Sequence, residues 1–227
     1  MPVPSDGHGG GGPAPGVRLG AVARVEGESA VDVAIIGTGR VGTALARGLS
    51  AAGHRVVFGS RAARADSPVP GVPVHDHATA VAGAEVIVLA VPFASAPGLV
   101  RGLGDLGERV LVDATNPIGA DTGGGTGAEV IAAAASGARV VKAFNTVGAE
   151  QMTNAAFPGG RAYALLAADD QRARDAVAGL AGDLGFEPVH LGDLSTAGHA
   201  EAAARLWIHL ATASGYGRGF AIGLLRR

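Results

Sequence analysis

The sequence predicts an α/β chain: a doubly wound, mostly parallel sheet with a small helical extension at the C-terminal end. Three observations carry this. Short apolar runs alternate with Ala/Leu-rich helical patterns from Val31 onward, as they do in sheets covered on both faces. A glycine-rich turn joins the first run to the first helical pattern. At 48% hydrophobic and 17% charged residues, the chain also has enough apolar side chains for a sizeable core, built mainly from Ala, Val, Leu and Ile because aromatics are only 4%.

The elements follow in order. A strand near 31–36 leads into Gly37-Thr38-Gly39-Arg40-Val41-Gly42, and a helix near 41–52 follows. A second strand near 55–59 ends in Gly59-Ser60-Arg61. Further strands are expected near 85–90, 109–113 and 139–143, with helices near 77–82, 94–103 and 126–135. Beyond Phe144 come an apolar run at 161–167, a helix from Asp169 to Leu184, a short run at 186–191, a helical stretch over about 198–213 and a terminal segment from Phe220 to Arg227. No internal repeat emerges. The expected organisation is a disordered or weakly ordered Gly/Pro-rich tail (1–30), a nucleotide-binding domain (31–145) and a C-terminal part (146–227) that completes the sheet and the second-substrate pocket. Residues 194–227 are too few to fold alone and are expected to pack across the mouth of the cleft.

The turn carries the chemistry. Gly37 permits a sharp exit from the strand, Gly39 permits backbone to approach a pyrophosphate, and Gly42 lets the helix lie close to the strand. The helix start offers unpaired N–H groups and partial positive charge to phosphates. With 38 glycines in the chain a GxGxxG match alone says little. Here it sits between a strand and a helix with a second strand beyond, the context the motif requires. All six residues, Gly37 to Gly42, are therefore candidate dinucleotide contacts. The second strand selects the nucleotide. A carboxylate at its end would accept from an adenosine ribose diol and repel a 2′-phosphate; Ser60, Arg61 and, further on, Arg64 offer a hydroxyl and two guanidiniums. NADP(H) is the expected cofactor.

Three more strand ends supply candidates. Val91-Pro92-Phe93 can line the nicotinamide side, or Phe93 can simply fill the core. In Asp113-Ala114-Thr115-Asn116-Pro117, Asn116 or Thr115 can bond a carboxamide or a substrate carbonyl, while Asp113 can cap the turn. In Lys142-Ala143-Phe144-Asn145-Thr146, Asn145 and Thr146 stand at the strand's edge as positioning candidates. Lys142 falls inside an apolar strand, where a lone ammonium is costly, so it must reach a phosphate, a carboxylate or the strand's end.

Other classes are disfavoured. A formal charge of −2 gives no reason to expect nucleic acid or an anionic membrane as partner. There is no cysteine, hence no disulfide or thiol chemistry. His75 and His77 on a short loop, and His199 and His209 on a helical stretch, show no metal-ligand spacing, and no GxSxG elbow occurs. No apolar stretch approaches the roughly 20 residues of a membrane span, and Met1 to Gly16 lacks the basic start and apolar core of a signal peptide. A cytoplasmic location is expected.

In order, the Gly37–Gly42 turn, Gly59-Ser60-Arg61, Val91-Pro92-Phe93, Asp113-Ala114-Thr115-Asn116-Pro117 and Lys142-Ala143-Phe144-Asn145-Thr146 resemble the family of F420-dependent NADP reductases. Ala167-Ala168-Asp169-Asp170, Leu184-Gly185-Phe186-Glu187-Pro188, Leu206-Trp207-Ile208-His209-Leu210 and Phe220 to Leu225 extend the resemblance over residues 31–227. It implies a Rossmann domain with a small C-terminal part, and hydride transfer between NADPH and the deazaflavin coenzyme F420. Gly192-Asp193-Leu194-Ser195-Thr196-Ala197-Gly198 departs from the family's Gly-Pro-Leu and following Arg, and Gly223 stands where a basic residue is usual. Both departures fall in the half that shapes the second-substrate pocket. The alternatives are an NADPH-dependent reductase of a flavin, imine or ketone, the last two needing a proton donor such as Lys142, a water on Asn116 or His199, and a non-catalytic NADP-binding sensor or scaffold. The apolar C-terminal helix suggests a homodimer.

Overall fold

The computed structural model describes residues 30–64 and 66–224; the expected N-terminal tail lies outside the described residues except for Ala30. From Ala30 the chain forms β1 (Asp32–Ile36), α1 (Arg40–Ala51), β2 (Arg55–Ser60), β3 (Val74–Asp76), α2 (His77–Ala82) and β4 (Val86–Leu89). It continues through a 3-10 turn (Phe93–Ser95) into α3 (Ala96–Gly102), β5 (Val110–Asp113), α4 (Gly127–Ala134) and β6 (Arg139–Lys142). A hairpin of β7 (Ala156–Phe157) and β8 (Gly160–Arg161) precedes β9 (Tyr163–Ala167), α5 (Gln171–Asp183), β10 (Glu187–Gly192) and α6 (Ala197–Thr212).

Eight strands form one sheet in the order β10-β9-β6-β5-β4-β1-β2-β3. The strands from β3 to β6 run parallel. Lys142 pairs with Ala167 antiparallel, and β9 and β10 are parallel to each other, so the last two strands run against the rest. Strand order reverses between β1 and β4, which opens a crevice beyond their C-terminal ends, where such sheets take ligands.

Strand alternation builds a core on each face. Val33 and Ile35 of β1 face Leu45 and Leu49 of α1 in a cluster that also holds Val177 and Leu180 of α5. Ala34 and Ile36 point the other way, into a cluster with Ala80, Val100, Ile131 and Ala197 from α2, α3, α4 and α6. The C-terminal strands and helices thus belong to the same two layers as the first six strands. Gly48 of α1 lets the two halves approach closely: a Cβ there would press on the Leu184 side chain, which follows α5.

The expected strands and helices are present to within two or three residues, with three differences. The edge strand β3 and the β7–β8 hairpin were not foreseen, because two or three residues carry no readable period. His75 and His77 consequently lie in β3 and at the first residue of α2, rather than on a loop. Nor does a strand pattern reveal direction, so the reversal of β9 and β10 was not legible.

Candidate active site

The turn after β1 is tightly packed at two of its glycines and open at the third. Gly37 adopts φ +117°, and its N–H donates to Gly59 O at 3.2 Å. A Cβ on Gly37 would collide with Ala90 O, and one on Gly42 would collide with Gly37 O, so neither position tolerates a side chain. Gly39 differs: no atom lies within 4 Å of where its Cβ would be, so the space before the turn is open. The start of α1 has no side-chain cap. Asp76, Thr126 and Asp170 cap α2, α4 and α5 with their own side chains, whereas α1, like α3 and α6, has neither such a cap nor an acidic residue in its first turn. A helix start without a side-chain cap directs its first N–H groups and partial positive charge toward the space beside Gly39.

Ser60 and Arg61 lie at the end of β2, Ser60 half-buried and Arg61 exposed; Arg64, also exposed, bridges to Val74 through its backbone. An acid does stand across the strand pair, since Asp76 is the register partner of Ser60. Its carboxylate accepts from the Thr79 N–H at 2.9 Å and hydroxyl at 2.8 Å, and these bonds hold its pKa below the usual carboxylate range. It is engaged as the cap of α2. The adjacent His77 lies close to Gly59. Burial keeps its imidazole below the usual range, Asp76 opposes this, and the nearby charge of Arg61 reinforces it. His77 belongs to this corner although the sequence did not single it out.

The loops after β4, β5 and β6 line the other half of the crevice. Val91 touches the Gly37 position and Pro92 is exposed. Phe93 is buried in the core beside Gly127. Asn116 and Asn145 clasp each other. Asn116 Nδ2 donates to Asn145 O, and Asn145 Nδ2 donates to Asn116 Oδ1, both at 3.0 Å. Phe144, immediately before, holds φ +58°, a left-handed conformation that turns the chain out of β6. Thr146 is buried beside it.

Lys142 is wholly buried and finds the carboxylate its position demanded, donating to Asp113 Oδ2 at 2.9 Å and Thr115 O at 2.6 Å. It is shut off from solvent and paired with these partners. His199 is exposed on α6.

Glu150 links the start of α1 to the segment after α6. Arg40 turns its guanidinium to Glu150, and Arg218 donates to the same carboxylate at 2.9 Å. Arg218 lies 5.1 Å over the Trp207 ring, Trp207 stacks on Phe220 at 5.4 Å, and Trp207 Nε1 donates to Phe220 O at 3.0 Å. Burial raises the Glu150 pKa, but hydrogen bonding and charge from Arg218, with the charge of Arg40, outweigh it and leave the carboxyl below its usual range. Arg40 is thus held by an acid more than 100 positions away in sequence (|i−j| = 110), a pairing no local pattern shows. A groove of about 570 Å³ lies beside it, lined by Thr38, Gly39, Arg40, Thr43, Arg47 and Glu150 among others.

Residues 32–117 match the family described as NADP oxidoreductase coenzyme F420-dependent. A proposed F420-dependent NADP-reductase from Arthrobacter sp. FB24 superposes with a TM-score of 0.75 and 31% identity, over 86% of this chain and 100% of that one. The chain belongs to the F420-dependent NADP oxidoreductase family. At that level it is an NADP-dependent oxidoreductase with a Rossmann fold. A hypothetical protein from Sinorhizobium meliloti is similar at 34% identity and TM-score 0.66, over 74% of this chain and 88% of that one. The metalloreductase STEAP3 of Rattus norvegicus is 32% identical over 81% of this chain, which spans 38% of that protein's length. Among the described residues no helix is long and apolar enough to cross a membrane.

Proposed function

We propose that this family member passes hydride between NADPH and the deazaflavin coenzyme F420. The observation that carries the reading is the uncapped start of α1 facing open space at Gly39, with Ser60, Arg61 and Arg64 at the neighbouring strand end. The turn N–H groups would hold the pyrophosphate, and the hydroxyl and guanidiniums would hold the 2′-phosphate. The loops carrying Val91, Pro92, Asn116 and Asn145 would flank the nicotinamide. NADPH, when bound, supplies the hydride; the chain's own part is to bind, orient and exclude water. Transfer to a deazaflavin asks little of side-chain acids or bases, which suits a site whose neighbouring ammonium, Lys142, is buried in ion pairs.

A second acceptor class is favoured by the likeness to STEAP3, a metalloreductase: a flavin, which takes hydride and can pass electrons on singly. Stopped-flow absorbance with NADPH against F420, FMN and FAD separates the two. Rapid NADPH oxidation with F420 and slow or no oxidation with either flavin supports the proposal; hydride transfer to a flavin alone refutes it. Binding of NADPH without oxidation by any of the three would favour the sensor or scaffold.

A further inference from the structure

Asp113, Lys142 and Glu201 bring two carboxylates and one ammonium together in the interior, at 0%, 0% and 4% exposure. Lys142 Nζ bonds Asp113 Oδ2 and Thr115 O and lies 3.5 Å from Glu201 Oε1, so its three N–H donors have three oxygens to meet. Asp113 Oδ1 accepts from the Thr115 N–H at 2.9 Å and its hydroxyl at 2.7 Å. Glu201 Oε1 accepts from the Ala128 N–H, in the first turn of α4, at 3.2 Å. Thr115 is therefore gripped at its nitrogen, its carbonyl and its hydroxyl, and the residue that follows it is Asn116.

As a source of stability this arrangement is a poor choice, because apolar side chains of the same volume commonly hold a core as well or better. What the charges add is a fixed position for a polar loop. We infer that the buried Asp113–Lys142–Glu201 cluster is a positioning device for the nicotinamide end of the bound nucleotide, with Glu201 the positioning residue contributed by α6. This rests on the NADP reading above. The cluster fixes Thr115; Thr115 sets Asn116; Asn116 orients Asn145 through their paired amides. The clasp leaves Asn145 Oδ1 buried with no donor, an acceptor of the kind that a primary carboxamide completes.

The test compares two nucleotides by titration calorimetry: NADPH, and 2′-phospho-ADP-ribose, which lacks only the nicotinamide. In Glu201→Ala the affinity for 2′-phospho-ADP-ribose should stay within about twofold of wild type. The advantage of NADPH over it should shrink about three- to tenfold, the worth of one neutral hydrogen bond. Glu201→Gln keeps an oxygen for Ala128 N–H and Lys142 and should restore most of that advantage. A merely structural role would lower the melting temperature and leave the ratio of affinities alone. If Glu201→Ala does not fold, Thr115→Val, which removes only the hydroxyl bond to Asp113, should shrink the ratio in the same direction by less. An unchanged ratio in the variants, or affinities that fall in parallel, overturns the inference while the NADP reading stands. Wild-type protein that binds neither nucleotide overturns both.

Discussion

Replacing Lys142 by Met removes the cation that faces two interior carboxylates and leaves Asp113 Oδ2, Glu201 Oε1 and Thr115 O without their shared donor. Removing one partner of a buried ion pair typically costs about 3–5 kcal/mol, since an uncompensated charge stays inside. Against a usual stability of about 5–15 kcal/mol this is a large share. In a chain of this size it corresponds to a melting temperature lower by roughly 6–20 °C. Glu201→Gln alone should cost only about 1 kcal/mol, because Lys142 and Asp113 remain as a neutral pair. Combining the two changes removes the ammonium together with one of its carboxylates, so the double variant should be less destabilised than the sum of the singles by about 0.5–3 kcal/mol. Urea unfolding with linear extrapolation measures all three. A Lys142→Met loss below about 1 kcal/mol, or strictly additive losses, would refute the electrostatic account of the cluster.

Gly39→Ala and Gly42→Ala should behave oppositely. The first has open space around its new methyl and should melt like wild type while losing NADPH affinity, whereas the second drives a methyl into Gly37 O and should melt earlier; thermal scans with and without NADPH distinguish them. Trp207, the single tryptophan, reports on the Glu150–Arg218 contact. Because the Glu150 pKa is lowered, its contribution is fully present above the ordinary glutamate value and is lost as pH falls through the lower folded value. Trp207 emission should therefore change on acidification with a midpoint below the usual range, and Glu150→Gln should show the acid-form spectrum at neutral pH. Burial disfavours the charged form of His77 in the free chain, and a phosphate beside it would favour the imidazolium. The preference for NADPH over NADH should then grow as pH falls through the imidazole range, and His77→Gln should flatten that dependence in paired titrations.

Most of the fold was legible because long apolar runs and helical periods are local signals, and the glycine turn lies in one unbroken stretch. The conformations of Gly37 and Gly42, and the basic end of β2, follow from residues next to one another. Lys142 was legible in part: a charge inside an apolar strand demands a partner, but sequence does not say which. Glu201 left a readable trace, for the buried face of α6 runs Ala197, Ala200, Glu201, Ala204, Trp207, and a carboxylate on an apolar stripe asks the same question. The Arg40–Glu150–Arg218 contacts left none, since they join three distant segments through exposed side chains. Phe93 illustrates the remaining ambiguity, because an aromatic at a strand end suits the core as well as a cleft until its neighbours in space are known.

The proposed activity requires a 2′-phosphorylated adenosine to be held beyond β2. Calorimetric titration of wild type and Arg61→Ala with NADPH and NADH tests this directly. Wild type should prefer NADPH, and Arg61→Ala should weaken NADPH by roughly ten- to a hundredfold, the worth of a charge-assisted hydrogen bond, with NADH little changed. Equal affinities of the two nucleotides for wild type, or an Arg61→Ala protein that binds NADPH as before, would contradict it.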